Sequence, residues 1–195
     1  MDADTTLTWP DGRVRCQWCN PQNPLYIAYH DAEWGVPCHD DHRLFEMLVL
    51  EGFQAGLSWE CVLNKRDGFR QAFDGFDAPV MARYPDEKLE ALRQDSRIIR
   101  NKLKIRAART NARVFLAIQE EWGSFDAYLW HWTEGKVIYE RDCTRSLLSD
   151  QISADLKKRG MTFVGTTIIY AYLQAMGVIY SHDEGCFKSI PPSAY

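Results

Sequence analysis

Apolar residues recur three or four positions apart through most of the chain, with polar residues between them. This spacing is typical of helices that bury one face, and a capping residue or a proline begins several of the runs. The pattern predicts helices over the following segments: 40–51, 58–72, a start at 77–79, 85–92, 101–119, 124–132, 149–159 and 166–176. Strict alternation of apolar and polar residues is much shorter, the best example being 137–139. The sequence therefore predicts an all-α fold.

The segment 15–37 departs from this periodic pattern. It is rich in aromatic residues, and prolines and a glycine interrupt any long helix there. We therefore expect an irregular segment whose aromatic side chains pack over the helical core.

The length of 195 residues is sufficient for one domain with a hydrophobic core. We place this domain at 15–190, between flexible tails at 1–14 and 191–195. The first residues are polar and contain no apolar signal-peptide region, and no segment has the character of a membrane span, so we expect a cytoplasmic protein. The six cysteines are scattered, which favours free thiols or metal ligands over disulfides in a reducing compartment. A monomer is the simplest expectation.

The charge is unevenly distributed along the chain. A net charge of −4 argues against a general nucleic-acid-binding protein, yet seven basic residues and no acidic residue lie between 97 and 113: Arg97, Arg100, Lys102, Lys104, Arg106, Arg109 and Arg113. The segment 92–102 joins two predicted helices, and Ile98 and Ile99 could anchor its turn. Backbone N–H groups beside Arg100, Lys102 and Lys104 would form a phosphate site of the helix-hairpin-helix type. The alternative is a solvated basic helix face.

Glu51 is the most unusual residue of the predicted helix at 40–51. It follows a run of apolar residues and precedes Gly52 and Gly56, so its carboxyl group lies at the inner end of a buried helix. Glutamate is rarely buried unless it is paired or binds a cationic group. Glu51 is therefore either a cap for local backbone N–H groups or a residue of a binding site.

Cysteine and histidine residues occur near both ends of the chain. Cys16 and His30 lie near the start, and His182 and Cys186 form an H-x3-C pair near the end. Four such ligands suit a closed tetrahedral zinc site that joins the two termini, and leave no open position for catalysis. A second set of four replaces His30 with Cys19, which forms a C-x-x-C pair with Cys16. Unliganded thiols and imidazoles are the third alternative.

Long motifs occur at three places along the chain. They are YIAYHD at 26–31 and EWGVP at 33–37, LEG at 50–52 and QAGLSW at 54–59, and KKRG at 157–160, FVGTT at 163–167 and HDEGC at 182–186. Together with Cys16, these motifs closely resemble the 3-methyladenine DNA glycosylase I family. The resemblance extends over nearly the whole chain, from about residue 15 to residue 186. It implies a helix-hairpin-helix DNA glycosylase fold.

The resemblance also implies roles for individual residues. The zinc ligands would be Cys16, His30, His182 and Cys186, which favours His30 over Cys19. Glu51 would be the catalytic residue and would accept hydrogen bonds from a flipped base; the remaining residues of the base-binding pocket would be Tyr29 and Trp59, which stack on the base, with Trp18 and Tyr26. Leu57 would fill the gap left in the duplex. The residues expected to contact DNA are thus Leu57, Arg97, Arg100, Lys102 and Lys104.

The implied activity is base excision from alkylated double-stranded DNA. The enzyme would hydrolyse the N-glycosidic bond of 3-methyladenine, release the free base and leave an abasic site. No matching motif offers a lysine for a Schiff base, so we expect a monofunctional glycosylase without lyase activity. Whether 3-methylguanine is also released is left open by the resemblance.

The sequence departs from the expected family pattern at three places. Cys19 is an additional thiol near the metal ligands, Phe53 is larger than the residue expected after Gly52, and Ser96-Arg97 replaces Ala-Gly in the hairpin. Glycine at that position would allow a positive φ, so Arg97 either adopts an unusual backbone angle or changes the turn. Two other functions remain as alternatives. They are a zinc-stabilised DNA-binding module without catalysis, and a zinc hydrolase, which would need an open metal position.

Overall fold

The computed structural model describes Trp9 and residues 11–189. Within these residues it contains ten α-helices and two short strands. In chain order they are α1 (Pro24–Ala32), α2 (Asp41–Gln54), α3 (Trp59–Leu63), α4 (Arg66–Ala72), a 3₁₀ turn (Asp74–Phe76), α5 (Ala78–Ala82), α6 (Asp86–Leu92), α7 (Lys102–Trp122), α8 (Phe125–His131), β1 (Ile138–Tyr139), α9 (Leu147–Lys158), α10 (Thr166–Ala175) and β2 (Ile179–Tyr180). The strands pair in parallel, Ile138 opposite Ile179. The fold is mostly helical, as expected.

Two predicted segments differ from the structure. The segment 58–72 is two helices, because α3 ends at Leu63 and α4 begins at Arg66. The segment 15–37 is not wholly irregular, since it contains α1. The Asn23 side chain caps α1 by accepting hydrogen bonds from two backbone N–H groups, and Pro24 occupies the first helical position. Proline begins a helix here rather than preventing one.

Helix α2 lies at the centre of the core. Ten consecutive residues, 44–53, are buried, because α2 is surrounded by α3, α7, α8 and α10. A helix enclosed on every side must also bury its polar residues. Glu46 meets this requirement by accepting hydrogen bonds from Arg66 Nε at 2.8 Å and from Arg70 Nε at 2.7 Å. Its position in α2 places Glu51 in the same interior.

The two ends of the described chain are packed together. The backbone N–H of Phe187 donates to Val14 O at 2.8 Å, and the Arg15 guanidinium lies 4.9 Å from the ring centre of Trp9. Trp9 is buried, although we expected it in a flexible tail. The rest of the expected tails, apart from 11–14, falls on 1–8, Pro10 and 191–195, which lie outside the described residues. No helix in the described part combines the length and apolar character needed to cross a membrane.

Candidate active site and metal cluster

Glu51 lies in the last turn of α2 and is only 2% exposed. Within the described part of the chain its Oε2 atom has no hydrogen-bond partner. Burial raises the pKa of Glu51 to about 8. Glu46, five residues earlier, shows the contrast. The burial of Glu46 alone would raise its pKa, but hydrogen bonds from Arg66 and Arg70 outweigh burial, and the net pKa is lowered. Glu51 is therefore a buried carboxyl group with no cation beside it among the described residues.

Aromatic residues surround the Glu51 carboxyl group in a cavity of about 200 Å³. The lining residues are Trp18, Tyr26, Tyr29, Trp34, Glu51, Gln54, Trp59, Ala171 and Gln174. The Tyr29 and Trp59 ring centres are 5.2 Å apart, and those of Trp18 and Tyr26 are also 5.2 Å apart. All five residues expected to bind the base thus line one cavity. Such a cavity suits a flat, cationic ligand.

Four residues of this cavity are not among the site residues that the sequence predicts: Trp34, Gln54, Ala171 and Gln174. Trp34 and Gln54 lie within the motifs at 33–37 and 54–59, so a sequence signal was present. Gln174 lies on α10, and no local pattern connects it to Glu51. Gln54 Oε1 and Trp59 Nε1 are also buried without a partner among the described residues. Together with Glu51 they offer a ligand two acceptors and one donor.

Polar side chains hold the aromatic walls of the cavity in place. Ser58 caps α3 by accepting a hydrogen bond from the Cys61 N–H at 3.2 Å, which places Trp59 in the first turn. Glu60 Oε1 accepts hydrogen bonds from Asn20 Nδ2 at 2.9 Å and from Asn23 Nδ2 at 2.7 Å. These bonds join α3 to the start of α1. The Trp59 wall is thereby fixed relative to the tyrosines of α1.

Four buried side chains from both ends of the chain form a candidate metal site. Ligand atoms of Cys16, His30, His182 and Cys186 all lie within 4.8 Å of one another. His182 Nδ1 is 3.4 Å from Cys16 Sγ and 3.6 Å from Cys186 Sγ, and His30 Nε2 is 3.5 Å from Cys186 Sγ. Tetrahedral zinc, with its usual bond lengths, separates sulfur and nitrogen ligands by about 3.6 Å. The donor atoms and their spacing fit that metal.

The surroundings of the cluster also suit a bound cation. His30 Nδ1 contacts Asp31 Oδ1 at 2.8 Å, which leaves Nε2 facing the cluster. Backbone N–H groups of Asp183 and Lys188 donate to Cys16 Sγ and Cys186 Sγ, each at 3.4 Å. Cys19 is buried nearby, but its thiol contacts Tyr26 O at 3.6 Å, and it does not belong to the cluster. The cluster contains His30, as the family resemblance implied.

The loop between α6 and α7 and the first residue of α7 carry three of the residues expected to contact DNA: Arg97, Arg100 and Lys102. Arg100 and Lys102 are exposed and form no ion pair within the described residues. Arg97 is exposed as well, but its guanidinium contacts Asp95 at 2.7 Å and Gln71 at 2.9 Å. Leu57 is 43% exposed in the turn that follows α2. Ile98 is buried beneath the loop, as expected for an anchor.

Lys104 does not lie on this exposed surface, so its expected phosphate contact is wrong. It is 6% exposed, and its ammonium group donates to the backbone oxygens of Phe53 and Ala55. Its place on α7 explains this, because residues 104, 108, 111 and 115 form one buried stripe of that helix. The basic surface of α7 therefore excludes Lys104.

Arg97 and Phe53, the remaining departures from the family pattern, fit the fold without changing the Glu51 cavity. Arg97 is not among the residues with positive φ, so the hairpin turn closes without a left-handed residue at this position. The turn packs against Gly68, where an added Cβ would lie 2.6 Å from Arg97 O. Phe53 packs on Phe69 at 4.7 Å between ring centres, away from the Glu51 cavity.

Comparison with known proteins identifies the family to which the chain belongs. A family model described as methyladenine glycosylase matches residues 18–189. DNA-3-methyladenine glycosylase 1 of Escherichia coli strain K12 is 45% identical over 179 residues, covering 88% of this chain and 95% of that protein. A crystal structure of 3-methyladenine DNA glycosylase I is 45% identical with a TM-score of 0.85, covering 89% of this chain and 98% of the other.

A further solved structure is described as the structural basis of 3-methyladenine recognition by 3-methyladenine DNA glycosylase I from Staphylococcus aureus. It is 30% identical to this chain, with a TM-score of 0.85, and the match covers 88% of this chain and 95% of that one. Glycosylases are hydrolases, and the family model and these relatives each cover most of the chain. The chain belongs to the methyladenine glycosylase family, and it is an enzyme of the DNA-3-methyladenine glycosylase I type.

Proposed function

We propose that this enzyme flips 3-methyladenine out of alkylated double-stranded DNA and hydrolyses its N-glycosidic bond, leaving an abasic site. The observation that carries the proposal is the Glu51 carboxyl group, which is buried in an aromatic cavity with no cation from the described part of the chain. A base stacked within a duplex cannot reach a pocket of this kind, so it must leave the stack. Tyr29 and Trp59 would stack on the flipped base and offset part of the cost of flipping.

The charge of the lesion explains its selection. Methylation gives the purine a positive charge, which makes it a good leaving group and provides the cation that Glu51 lacks. Charge-assisted hydrogen bonds to a carboxylate are stronger than neutral ones, and each well-placed ring contributes about 0.5–2 kcal/mol of cation–π attraction. Unmodified adenine has no charge and would leave a buried carboxylate uncompensated. The pocket therefore favours the damaged base.

The raised pKa of Glu51 links base binding to proton release. With a pKa of about 8, Glu51 is mostly protonated in the free enzyme at pH 7. A cationic base in the cavity favours the carboxylate, so the carboxyl proton is released on binding. Glu51 then holds the base and stabilises positive charge that develops on the sugar. Strong protonation of the leaving group is unnecessary, since cleavage neutralises the methylated ring.

The cluster of Cys16, His30, His182 and Cys186 would hold one structural zinc ion. Four protein ligands close the coordination shell, so the metal would supply a cross-link between the termini and no activated water. We propose the helix-hairpin-helix role for α6, α7 and the loop between them. Arg100 and Lys102 would bind backbone phosphates there, and Leu57 would enter the gap left by the flipped base.

Substitution of Arg100 in the loop and Lys102 at the start of α7, which have no ion pair among the described residues, tests the DNA-binding role. Arg100→Ala and Lys102→Ala should each weaken DNA binding equally for all sequences and reduce the slope of log K against log salt by about 1. Arg97→Ala should have a smaller effect, because Asp95 already pairs with its guanidinium. Titrations at four salt concentrations measure the slopes. Lys136→Ala, an exposed lysine paired with Glu134, is the control, and equal slopes for all four variants would contradict the assignment.

The reaction itself is tested by chromatography of bases released from methylated duplex DNA. We expect free 3-methyladenine above a no-enzyme control, with 7-methylguanine left in the DNA, and the same trace measures any 3-methylguanine. Borohydride in the reaction should trap no covalent adduct, because no lysine is among the described residues of the cavity. DNA binding without base release by the metal-loaded, folded protein would instead identify a binding module.

A further inference from the structure

Lys104 reaches from one helix to the end of another. It occupies the third position of α7, and its ammonium nitrogen lies 2.9 Å from Phe53 O and 2.5 Å from Ala55 O. Helix α2 ends at Gln54 and has no basic residue in its own last turn. The last carbonyl groups of a helix lack partners within that helix, and a cation there is favourable. Lys104 therefore caps α2 from outside.

Burying this ammonium group is costly. Burial lowers the pKa of Lys104 because it disfavours the charged form. An apolar side chain of similar length could fill the same space beside Ala108 without that cost. Unlike an apolar side chain, the Lys104 ammonium group joins α7 to the backbone of 53–55 at a fixed distance through hydrogen bonds.

The segment that Lys104 holds lies between two residues of the proposed site. Glu51 is two residues before Phe53, and Leu57 is two residues after Ala55. On the other side, Lys104 is two residues after Lys102, which belongs to the proposed phosphate site. One side chain thereby connects the DNA-binding end of α7 with the turn that carries the base-binding carboxyl group and the proposed gap-filling residue.

A neighbouring residue on the same stripe of α7 fixes a second segment next to the same turn. Asn111 Nδ2 donates to Thr162 O at 2.9 Å, and Asn111 Oδ1 accepts from the Thr162 N–H at 3.0 Å. These bonds hold Phe163, whose φ is 58°, with its Cβ next to Gly52 and its ring 5.9 Å from the Lys104 nitrogen. This face of α7 supports the end of α2 from two directions.

We propose that Lys104 is a positioning residue that keeps the base cavity in register with the phosphate contacts on α7. The inference rests on the proposed function. A flipped nucleotide is tethered to phosphates bound at Arg100 and Lys102, so its base must meet Glu51 at a set distance from α7. A free base carries no tether and can follow a loosened cavity. Lys104 therefore matters more for excision from DNA than for binding of the free base.

Substitution of Lys104 separates these two effects. In Lys104→Met, we expect the single-turnover rate constant for release of 3-methyladenine at saturating enzyme to fall about 10- to 100-fold, the range expected for misplacement by about 1 Å. The affinities for DNA and for free 3-methyladenine should change less than about threefold, because their contacts remain. Lys104→Arg keeps the cation. Measured on a logarithmic scale, it should recover at least half of the decrease in the single-turnover rate constant. Lys136→Met is the matched control.

Hydrogen exchange provides a readout that does not depend on activity. Amides of 54–58 should exchange at least about tenfold faster in Lys104→Met, while those of the core of α7 remain unchanged. A single-turnover rate within twofold of the wild type would overturn the inference. So would a proportional loss of excision and free-base binding, or unchanged exchange at 54–58. If the wild-type enzyme released no base, the proposed function would fail, and the exchange experiment would still test the Lys104 contact.

Discussion

Glu51→Gln is expected to stabilise the protein increasingly as the pH rises above 5, while it slows release of 3-methyladenine about 100-fold or more. The stability effect follows from the raised pKa. In the unfolded chain the carboxyl group loses its proton near pH 4.5, but in the folded protein it retains the proton up to about pH 8. Between these values the folded state binds more protons, so wild-type stability decreases with pH. Glutamine does not titrate and escapes this loss.

The size of the effect follows from the same two pKa values. At pH 7 the unfolded carboxyl group is 2.5 units above its pKa of 4.5, which corresponds to about 3 kcal/mol at 1.36 kcal/mol per unit. The free energy of unfolding of Glu51→Gln, relative to the wild type, should therefore increase by about 3 kcal/mol between pH 4 and pH 7. Urea denaturation at pH 4, 5.5, 7 and 8.5 measures this difference. A pH-independent difference would contradict the assignment of the raised pKa.

Glu46→Gln is the matched control, because Glu46 is a buried carboxylate on the same helix. Its pKa is lowered by Arg66 and Arg70 despite burial, so its ion pairs stabilise the folded protein above the unfolded pKa of 4.5. Substitution removes the negative charge that pairs with the buried Arg66 guanidinium and with Arg70. Relative to the wild type, we expect the free energy of unfolding of Glu46→Gln to decrease as the pH rises, whereas that of Glu51→Gln increases. The pair of variants distinguishes a paired carboxylate from a binding group.

The catalytic consequence has its own pH signature. Because the base binds the carboxylate, kcat/KM of the wild-type enzyme should increase with pH up to about 8 and then level off. In Glu51→Gln, the remaining kcat/KM should not rise with pH in this range, and the affinity for free 3-methyladenine should be reduced. Single-turnover release from methylated DNA between pH 5.5 and 9 checks the profile. Wild-type activity in the variant would remove Glu51 from the site and leave it a structural role.

The cavity was largely predictable because its residues belong to recognisable motifs. Glu51 and Trp59 lie in one continuous stretch, and Tyr29 precedes the proposed metal ligand His30. The family resemblance therefore predicts Tyr29, Glu51 and Trp59 as part of the base-binding pocket. Gln174 was not predictable, since α10 reaches the cavity only through packing against α2. Spacing alone does not choose between His30 and Cys19, and the family resemblance favours His30; the fold agrees, because the metal cluster contains His30. Helix α1 turns His30 toward the cluster.

The errors have physical causes that were partly visible in the sequence. Charge alone groups Lys104 with Lys102, but its spacing from Ala108 and Phe115 places it on the buried side of α7. Helix periodicity, rather than charge density, thus determines which basic residues of α7 are exposed. The apolar pattern does not predict helix α1, because the buried residues of this helix are aromatic or polar. The Asn23-Pro24 pair was nevertheless a helix-start signal.

Loss of the metal cluster is expected to be the most damaging change to stability. Cys186→Ala should abolish stoichiometric zinc binding and lower the free energy of unfolding by about 5 kcal/mol or more, because structural zinc sites contribute binding energy directly to folding. The cluster also joins the segment around His182 and Cys186 to the segment around Cys16 and His30, so its loss should release both. Elemental analysis and thermal denaturation of protein purified without chelator measure the two effects.

Cys19→Ala separates the two ligand sets that spacing alone allows. Cys19 is buried close to the cluster, yet its thiol contacts Tyr26 O instead of the proposed metal position. The variant should retain one zinc per chain and lose only the modest stability of a small buried side chain. Loss of zinc from Cys19→Ala would contradict the set that contains His30.

In a chelator titration of the wild type, base release and near-ultraviolet circular dichroism should decline together, because zinc supports the fold. Loss of turnover in a still-folded protein would instead indicate a catalytic metal, which a closed four-ligand site excludes.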